Sequence, residues 1–429
     1  MKVLRMGDRG PQVQFLQLAL RREGSFDGPT SGIFGEQTQS ALASFQRRVG
    51  LTPDGIAGPR THRALEPYYT GTARHTIRRG DTLYRLAVSY GSSLRAITTA
   101  NPGIEPMNLR VGQVISVPLN FSVTPTTIDY CSETVAYVCR GLAARYPFIS
   151  LGEIGKSVMG KPIWSLTLGR GGNRVLYNAS HHANEWITTP VLLRFCEELA
   201  AAWSRDGEIY GESARELLAR STLCMIPAVD IDAIDLVTGD LVSGGYYQRA
   251  ADIAGRYPSI SFPSGWKANI EGVDLNLQYP AGWEQAREIK FAQGFTGPAP
   301  RDYVGTAPLS APESRAMHDF TLSFDPSLTL SYHTQGDTIF WKYLDYEPEG
   351  SRAIAEAMGE ASGYFVEETP YGSGFAGYKD WFIQNYNRPG YTIEAGRGVN
   401  PLPISDFAGI YRDNLGILVL GMKLSAENN

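Results

Sequence analysis

The stretch that most constrains this chain joins a short apolar run to an amphipathic segment. The run Arg174–Asn178 predicts a buried strand, and the helical spacing of apolar residues from Thr189 to Trp203 predicts a helix. His182-x-x-Glu185 lies on the loop between them. An imidazole and a carboxylate three residues apart can face one point if the backbone turns there, and both groups are zinc ligands. Because His-x-x-Glu also occurs by chance, the pair alone does not establish a metal site.

The length of 429 residues predicts two or three domains. A hydrophobic content of 43% allows a sizeable core, and the formal charge of −5 does not favour nucleic acid as a partner. We expect no membrane span, since no apolar run reaches 18 residues. The first ten residues contain no apolar core of a secretory signal, so no signal peptide is expected. The four cysteines form no Cys-x-x-Cys pair and are expected to be buried thiols.

Residues 1–68 contain an internal repeat with an offset of 23 residues. Each copy has the pattern Gly-Ile-x-Gly-x-x-Thr-x-x-Ala-Leu, beginning at Gly32 and again at Gly55. Together with an earlier apolar helix, the repeat predicts a small three-helix module. The pattern closely resembles the peptidoglycan-binding domain of bacterial wall hydrolases.

Residues 74–119 predict a β-α-α-β unit. Alternating runs at His75–Leu83 and Leu109–Pro118 flank two short amphipathic segments, and Asp81 and Thr82 stand at a helix start. The order resembles a LysM domain, a family that binds N-acetylglucosamine-containing glycans. The following Phe121–Thr127 is expected to be a linker.

Residues 124–429 alternate strand-like and helical runs, which predicts an α/β catalytic domain with a central mixed sheet. The candidate strands are Ile163–Leu168, Arg174–Tyr177, Leu223–Val229, Leu328–Tyr332 and Gly390–Glu394. Several end in polar residues, and open α/β sheets place their sites at such strand ends.

Two of those strand ends supply further chemistry. His333 would complete a three-ligand zinc site with His182 and Glu185, leaving a position open for water. Glu394 ends another strand, where a carboxylate could take a proton from a zinc-activated water. The segment from Trp266 to Gln278 adds Lys267 and Asn276 to this set.

With these residues in place, 124–429 resembles the carboxypeptidase A-like zinc peptidases, or funnelins. The resemblance implies one Zn²⁺ per chain held by His182, Glu185 and His333, with Glu394 as general base. It also implies that Asn276 holds the substrate and that Tyr371 caps it. Lys267 stands where the family usually has an arginine that polarises the scissile carbonyl; a lysine can still stabilise an oxyanion as a point charge.

One departure concerns the substrate's C-terminus. True carboxypeptidases follow this Asp-x-Asn with an arginine that clamps the terminal carboxylate, whereas this chain has Leu277. The sequence around Asn276, Gly377–Trp381 and Gly398–Pro403 resembles instead the γ-D-glutamyl-L-diamino-acid endopeptidase branch, which cuts peptidoglycan stem peptides.

A diamino acid with a charged side chain needs a polar pocket. Lys379 falls at a position that contributes to the pocket floor in this family, and we expect it, with Arg397, to bind a carboxylate of diaminopimelate. A lysine that merely pairs with a neighbouring acid is an equally weighted alternative.

The sequence thus predicts a peptidoglycan hydrolase that cuts the γ-D-glutamyl–meso-diaminopimelate (or Lys) bond, with peptidoglycan glycan and stem peptides as partners. An ordinary metallocarboxypeptidase with a relocated clamp, such as Arg397, and a catalytically silent wall-binding protein are the alternatives. The expected site of action is the wall, reached from inside a sporulating cell, after lysis or by non-standard export. Outside the site, His181 is expected to pack, and His62, His75 and His318 to be solvated.

Overall fold

A computed structural model describes residues 1–427 of the chain. They form two compact units, one over Met1–Leu151 and a second that begins at Gly152. Among the described residues, no helix is both long and apolar enough to cross a membrane.

The first unit contains six helices and one two-stranded sheet among the described residues. In chain order they are α1 (Pro11–Glu23), α2 (Glu36–Arg48), α3 (Pro59–Thr70), β1 (Thr72–Thr76), α4 (Leu83–Ser89), α5 (Leu94–Ala100), β2 (Val114–Pro118) and α6 (Ser132–Arg145). The three-helix module and the β-α-α-β unit predicted from the sequence are both present, with β1 antiparallel to β2.

The sequence repeat corresponds to a repeated hydrogen-bonding arrangement. In the first copy the buried amide of Gln17 accepts from Gly32 N at 2.9 Å and donates to Ile33 O and Thr38 Oγ1, each at 3.0 Å. Gln46 makes the same three kinds of bond to Gly55, Ile56 and Thr61 in the second copy. A buried amide needs all these partners, which explains why the repeat combines Gly, Ile and Thr.

The segment predicted to be a linker is packed into the first unit. Val123, Ile128 and Tyr130 are fully buried. The guanidinium of Arg145 on α6 donates to the carbonyls of Gly71, Leu119 and Phe121 at 2.7–2.8 Å. Residues 121–127, which include the buried Val123 and Thr124, therefore do not form a loose tether.

The expectation of solvated histidines is wrong for His62. Its ring is 5% exposed, and its two nitrogens lie 3.0 Å from Tyr69 Oη and 2.9 Å from Lys2 O. His75 is also bonded, to Asp81 and Tyr90, and the His318 ring packs at a tilt against Trp381. Polar neighbours in the sequence did not indicate this, because the partners come from elsewhere in the fold.

The second unit is built around an eight-stranded sheet among the described residues. Its elements, with β3 starting just before the boundary, are β3 (Ser150–Lys156), β4 (Pro162–Leu168), β5 (Asn173–Ala179), α7 (Thr188–Ser204), β6 (Glu208–Ile209), β7 (Glu212–Ser213), α8 (Ala214–Arg220), β8 (Ser221–Ile226), α9 (Ala233–Val237), α10 (Gly245–Ala254), α11 (Trp283–Ala292), α12 (Pro312–Phe324), β9 (Leu328–His333), β10 (Thr338–Phe340), α13 (Ser351–Ser362), β11 (Phe365–Glu367), α14 (Tyr378–Tyr386), β12 (Gly390–Glu394) and α15 (Phe407–Glu427).

The strand order is β11-β10-β12-β9-β5-β8-β4-β3. β12, β9, β5 and β8 run parallel, whereas β4 and β10 are antiparallel to their neighbours β8 and β12. This is the predicted mixed sheet. Because β12, β9 and β5 are adjacent and parallel, their carboxyl ends meet at one edge, and Glu394 lies in register with His333.

Candidate active site

The loop after β5 turns sharply enough to bring His182 and Glu185 together. Ser180 adopts a left-handed backbone with φ 53°, and its hydroxyl is hydrogen-bonded to Thr188 and Thr189. A single 3₁₀ turn over Ala183–Glu185 follows. A non-glycine residue takes this conformation only where the surroundings hold it, and here the start of α7 does so.

The three predicted ligands converge in the structure. His182 Nδ1 lies 3.0 Å from Glu185 Oε1, His333 Nδ1 lies 2.8 Å from Glu185 Oε2, and the two Nδ1 atoms are 3.2 Å apart. All three residues are buried. Two ligands about 2.0–2.1 Å from one tetrahedral ion lie about 3.3 Å apart, so the nitrogen spacing and the donor set fit zinc.

Asp274 orients one of these ligands. Its Oδ1 lies 3.0 Å from His182 Nε2, and its Oδ2 accepts from Asp302 N at 3.1 Å. A carboxylate on the far ring nitrogen fixes the histidine tautomer and leaves Nδ1 available to a metal. The signal for Asp274 in the sequence is its place two residues before Asn276.

The pKa values of two carboxyl groups of the site are shifted in opposite directions. Burial opposes ionisation of Glu185, but the cations of His182 and Lys267 and the neighbouring His333 outweigh it and hold its pKa well below the usual range. Burial dominates for Glu394 and raises its pKa. Environments that push the pKa values of two carboxyls apart favour one as a fixed anion and the other as a proton carrier.

Lys267 belongs to the same cluster. Its Nζ lies 3.0 Å from Glu185 Oε1, and the side chain is 18% exposed. The backbone of Lys267 is fixed from both directions, since its N–H donates to Pro300 O and its carbonyl accepts from Ala183 N. The ammonium group therefore stands beside the ligand set.

These groups open into a cavity of about 710 Å³. Its wall includes His182, His333, Glu394, Lys267 and Asn276. Asn276 Oδ1 accepts from Tyr378 N at 2.9 Å, which fixes the amide and leaves its NH₂ group for another partner. Leu277 also lines the wall. An apolar side chain therefore lies at the position where the sequence lacks the carboxylate-clamping arginine, as expected.

The remaining predicted residues differ in their placement. Lys379 lines the cavity and is 4% exposed; its Nζ bonds Asp380 Oδ1 at 2.6 Å and Lys342 O at 2.7 Å. Tyr371 is 65% exposed, and its ring packs edge-on against Phe375. Arg397 is exposed and pairs with Asp337. Within the described part of the chain, neither Tyr371 nor Arg397 belongs to the cavity wall, although Pro370 and Gly398 do.

The comparisons with known proteins agree with this geometry. Residues 135–415 match the model of the zinc carboxypeptidase family of peptidases. The chain belongs to this family. Residues 9–65 match a putative peptidoglycan-binding domain, and residues 75–118 match the LysM domain. The chain is thus a metallopeptidase with two modules of wall-binding families.

Two bacterial relatives each match about two thirds of this chain. γ-D-Glutamyl-L-diamino acid endopeptidase 1 of Lysinibacillus sphaericus is 43% identical over 283 residues, covering 66% of this chain and 69% of the relative. An uncharacterised protein of Bacillus subtilis, YqgT, is 40% identical over 276 residues, or 64% of this chain and 72% of its own.

Solved structures show the same fold at low identity. Carboxypeptidase A of Helicoverpa armigera has a TM-score of 0.53 at 17% identity, covering 97% of this chain and 95% of its own. Bovine thrombin-activatable fibrinolysis inhibitor has a TM-score of 0.54 at 17% identity, covering 70% and 98%.

Proposed function

We propose that this chain hydrolyses the γ-D-glutamyl–diamino-acid bond of peptidoglycan stem peptides, with one zinc ion per chain. The observation that carries the proposal is Leu277 in the wall of the cavity, three positions after Asp274. A free C-terminal carboxylate would find no arginine there, and such a charge-assisted contact stabilises a complex by roughly 1.5–3 kcal/mol. The relative from Lysinibacillus sphaericus, which carries this activity in its name, supports the same reading.

The residues of the site divide the chemistry among them. His182, Glu185 and His333 hold the metal, which when bound polarises the scissile carbonyl and lowers the pKa of a water. Glu394 accepts a proton from the attacking water and returns it to the leaving amine. Lys267 donates to the developing oxyanion, and the Asn276 amide holds the substrate backbone.

Lys379 and Asp380 are the groups proposed to bind the side chain of the diamino acid. The side chain of diaminopimelate ends in both an amine and a carboxylate, and the Lys379–Asp380 pair offers one charge of each sign. Lys379 bonds two protein oxygens, so its third N–H is available to a substrate carboxylate. Its pairing with an acid, the structural alternative, is thus compatible with substrate binding. A role for Arg397 stays a prediction, since it pairs with Asp337.

The two N-terminal modules are proposed to hold the enzyme on peptidoglycan glycan, with boundaries near residues 1–68 and 74–119. An anchored enzyme meets stem peptides at a raised effective concentration. The wall is accordingly the proposed site of action.

The test is hydrolysis of two soluble peptides followed by mass spectrometry. We expect release of diaminopimelate from L-Ala-γ-D-Glu-meso-diaminopimelate and little cleavage of a blocked dipeptide with C-terminal Phe. Preferential release of the C-terminal Phe would establish the ordinary carboxypeptidase instead. Cleavage of neither peptide by zinc-loaded protein would favour the silent wall-binding protein.

A further inference from the structure

A γ-glutamyl substrate carries a charge that an ordinary peptide lacks. The bond that is cut involves the side-chain carboxyl of D-glutamate, so the α-carboxyl group of that residue stays free. It lies four carbon–carbon bonds from the scissile carbonyl, at most about 5 Å away. An enzyme that selects the γ-linkage gains from a cation on the side of the residue before the cut.

Among the described residues, four cationic side chains line the cavity: Lys267, Lys290, Arg301 and Lys379. The three lysines are well enclosed, and each is held by a carboxylate. Arg301 is different, because its side chain is 45% exposed and only its Nε is bonded, to Asp302 at 2.5 Å. Within residues 1–427, its two Nη groups have no protein acceptor.

The carboxylate bonded to Arg301 is also bonded to a second cation. Asp302 is shared with Lys290, whose Nζ lies 2.7 Å from Oδ1. One carboxylate therefore faces two cations. An anion at the Nη groups would balance the second cation, and the exposed position reduces the desolvation cost of bringing it there.

The backbone around Arg301 is tied to the catalytic groups. Pro300 O accepts from the amides of Lys267 and Ala268 at 2.8 and 2.9 Å. Asp302 N donates to Asp274 Oδ2, and Asp274 N donates to Tyr303 O. Arg301 thus extends from a loop segment whose backbone is hydrogen-bonded, on either side of it, to Lys267 and Asp274.

Arg301 and Lys379 have different surroundings within the cavity wall. The charges that act on Arg301 include Asp274 and Glu185, and Arg301 in turn acts on Lys267. Lys379 is bonded instead to Asp380 and the carbonyl of Lys342. With Lys379 assigned to the residue after the cut, Arg301 is a cavity cation that acts on Lys267 and keeps unbonded N–H groups.

We propose that Arg301 selects the γ-linkage by binding the α-carboxylate of the D-glutamyl residue before the scissile bond. The proposal rests on the proposed function. The two Nη groups form a fork toward the carboxylate while Nε stays on Asp302, a geometry that a lysine does not supply. The unamidated γ-D-glutamyl peptide is therefore the preferred substrate class over its α-amide, a γ-D-isoglutaminyl peptide.

The experiment compares kcat/KM for L-Ala-γ-D-Glu-meso-diaminopimelate and for the same peptide with the α-carboxyl amidated. We expect the wild type to prefer the acid at least tenfold. In Arg301→Gln the ratio should fall to about one, mainly through a higher KM for the acid, and Arg301→Lys should keep part of the preference. Bound zinc and melting temperature are measured for every variant.

Arg256→Gln is the matched control, because Arg256 donates to Pro298 O near the same segment but lies outside the cavity wall. It should keep the wild-type ratio. An equal rate on both peptides by the wild type, or an unchanged ratio in Arg301→Gln, overturns the role of Arg301 while the proposed function stands. Failure of the wild type to cut either peptide overturns the proposed function, and the role of Arg301 with it.

Discussion

The donor atoms of His182, Glu185 and His333 lie within 4.8 Å of one another, in a buried setting that holds two histidines beside one carboxylate. His333 is the ligand that comes from a distant strand, so its loss leaves a pair too weak for tight binding. We expect purified protein to contain about one zinc per chain and His333→Ala to contain almost none, as measured by atomic absorption after dialysis.

His181 is the matched histidine for that measurement. Its Nε2 lies 2.9 Å from Tyr279 Oη, and it takes no part in the ligand set. His181→Ala should keep its zinc, although the loss of a buried ring lowers stability. Stoichiometric zinc in His333→Ala would place the third ligand elsewhere.

Glu394 is the second test at the residue scale. An amide cannot accept the proton of the attacking water, so Glu394→Gln should bind zinc normally and lose on the order of 10²–10⁴-fold or more in turnover. Glu271→Gln serves as the control, since Glu271 is an exposed partner of Arg249. Near-full turnover by Glu394→Gln would remove this residue from the mechanism.

Lys379 needs a test with two substrates, because its ammonium group also neutralises the buried Asp380. We expect Lys379→Met to lower kcat/KM for the stem tripeptide at least tenfold, about 1.4 kcal/mol. If the unpaired Asp380 disturbs the site as a whole, the low activity on a peptide with C-terminal Phe falls as well. If loss of the carboxylate contact is the cause, that activity stays level or improves. An unchanged rate on the tripeptide would make Lys379 a structural residue.

The convergence of His182, Glu185 and His333 could be predicted from the sequence, because their residue types are uncommon and lie at or after strand ends. The place of Arg301 in the cavity wall could not be predicted, because it depends on contacts between residues far apart in the sequence. These contacts are hydrogen bonds between two loops, which join Pro300 to Lys267 and join Asp302 and Tyr303 to Asp274. The ion pair between Arg397 and Asp337 likewise could not be predicted from the sequence.

At the scale of elements, the five candidate strands of the catalytic part are all present as β4, β5, β8, β9 and β12. β10 and β11 have three residues each and give no periodic signal. The strand order could not be predicted from the sequence either, since it depends on the non-local pairing of β9 with β12 and β5. That pairing brings His333 beside both Glu394 and the loop of His182.

Helix α3 carries a pH dependence that the sequence did not indicate. Burial lowers the pKa of His62, whose Nε2–H donates to Lys2 O while Nδ1 accepts from Tyr69 Oη. The folded state therefore binds a proton less readily than the unfolded state. The contribution to stability is complete above the unfolded pKa of about 6.5 and is lost as the pH falls below it.

Amide hydrogen exchange of α3 in the full chain measures this effect, with rates corrected for intrinsic pH dependence. Protection should fall between pH 7.5 and 5.5 in the wild type and change less in His62→Gln. His318→Gln is the control and should behave as the wild type. The same loss of protection in His62→Gln would assign the pH dependence to another group.

At the scale of the whole molecule, the wall-binding modules and the peptidase sequence overlap in one compact unit. The zinc carboxypeptidase match begins at residue 135, yet α6 clusters with the modules in Met1–Leu151. The N-terminal amine pairs with Glu133 at 2.9 Å, and Arg145 is held by three carbonyls of residues 71–121. A deletion of the modules therefore also removes partners of α6.

Deleting residues 1–120 separates anchoring from catalysis at a cost in stability. Arg145 loses the carbonyl acceptors of Gly71 and Leu119, and hydrogen bonds to charged groups contribute roughly 1.5–3 kcal/mol each. We expect a lower melting temperature, near-normal hydrolysis of the soluble tripeptide at low temperature, and weaker sedimentation with purified walls. Full-length Glu394→Gln is the control: it should sediment as the wild type does without cutting. Equal sedimentation of the truncated protein would show that residues 1–120 do not anchor the enzyme, and the gain in effective concentration would need another source.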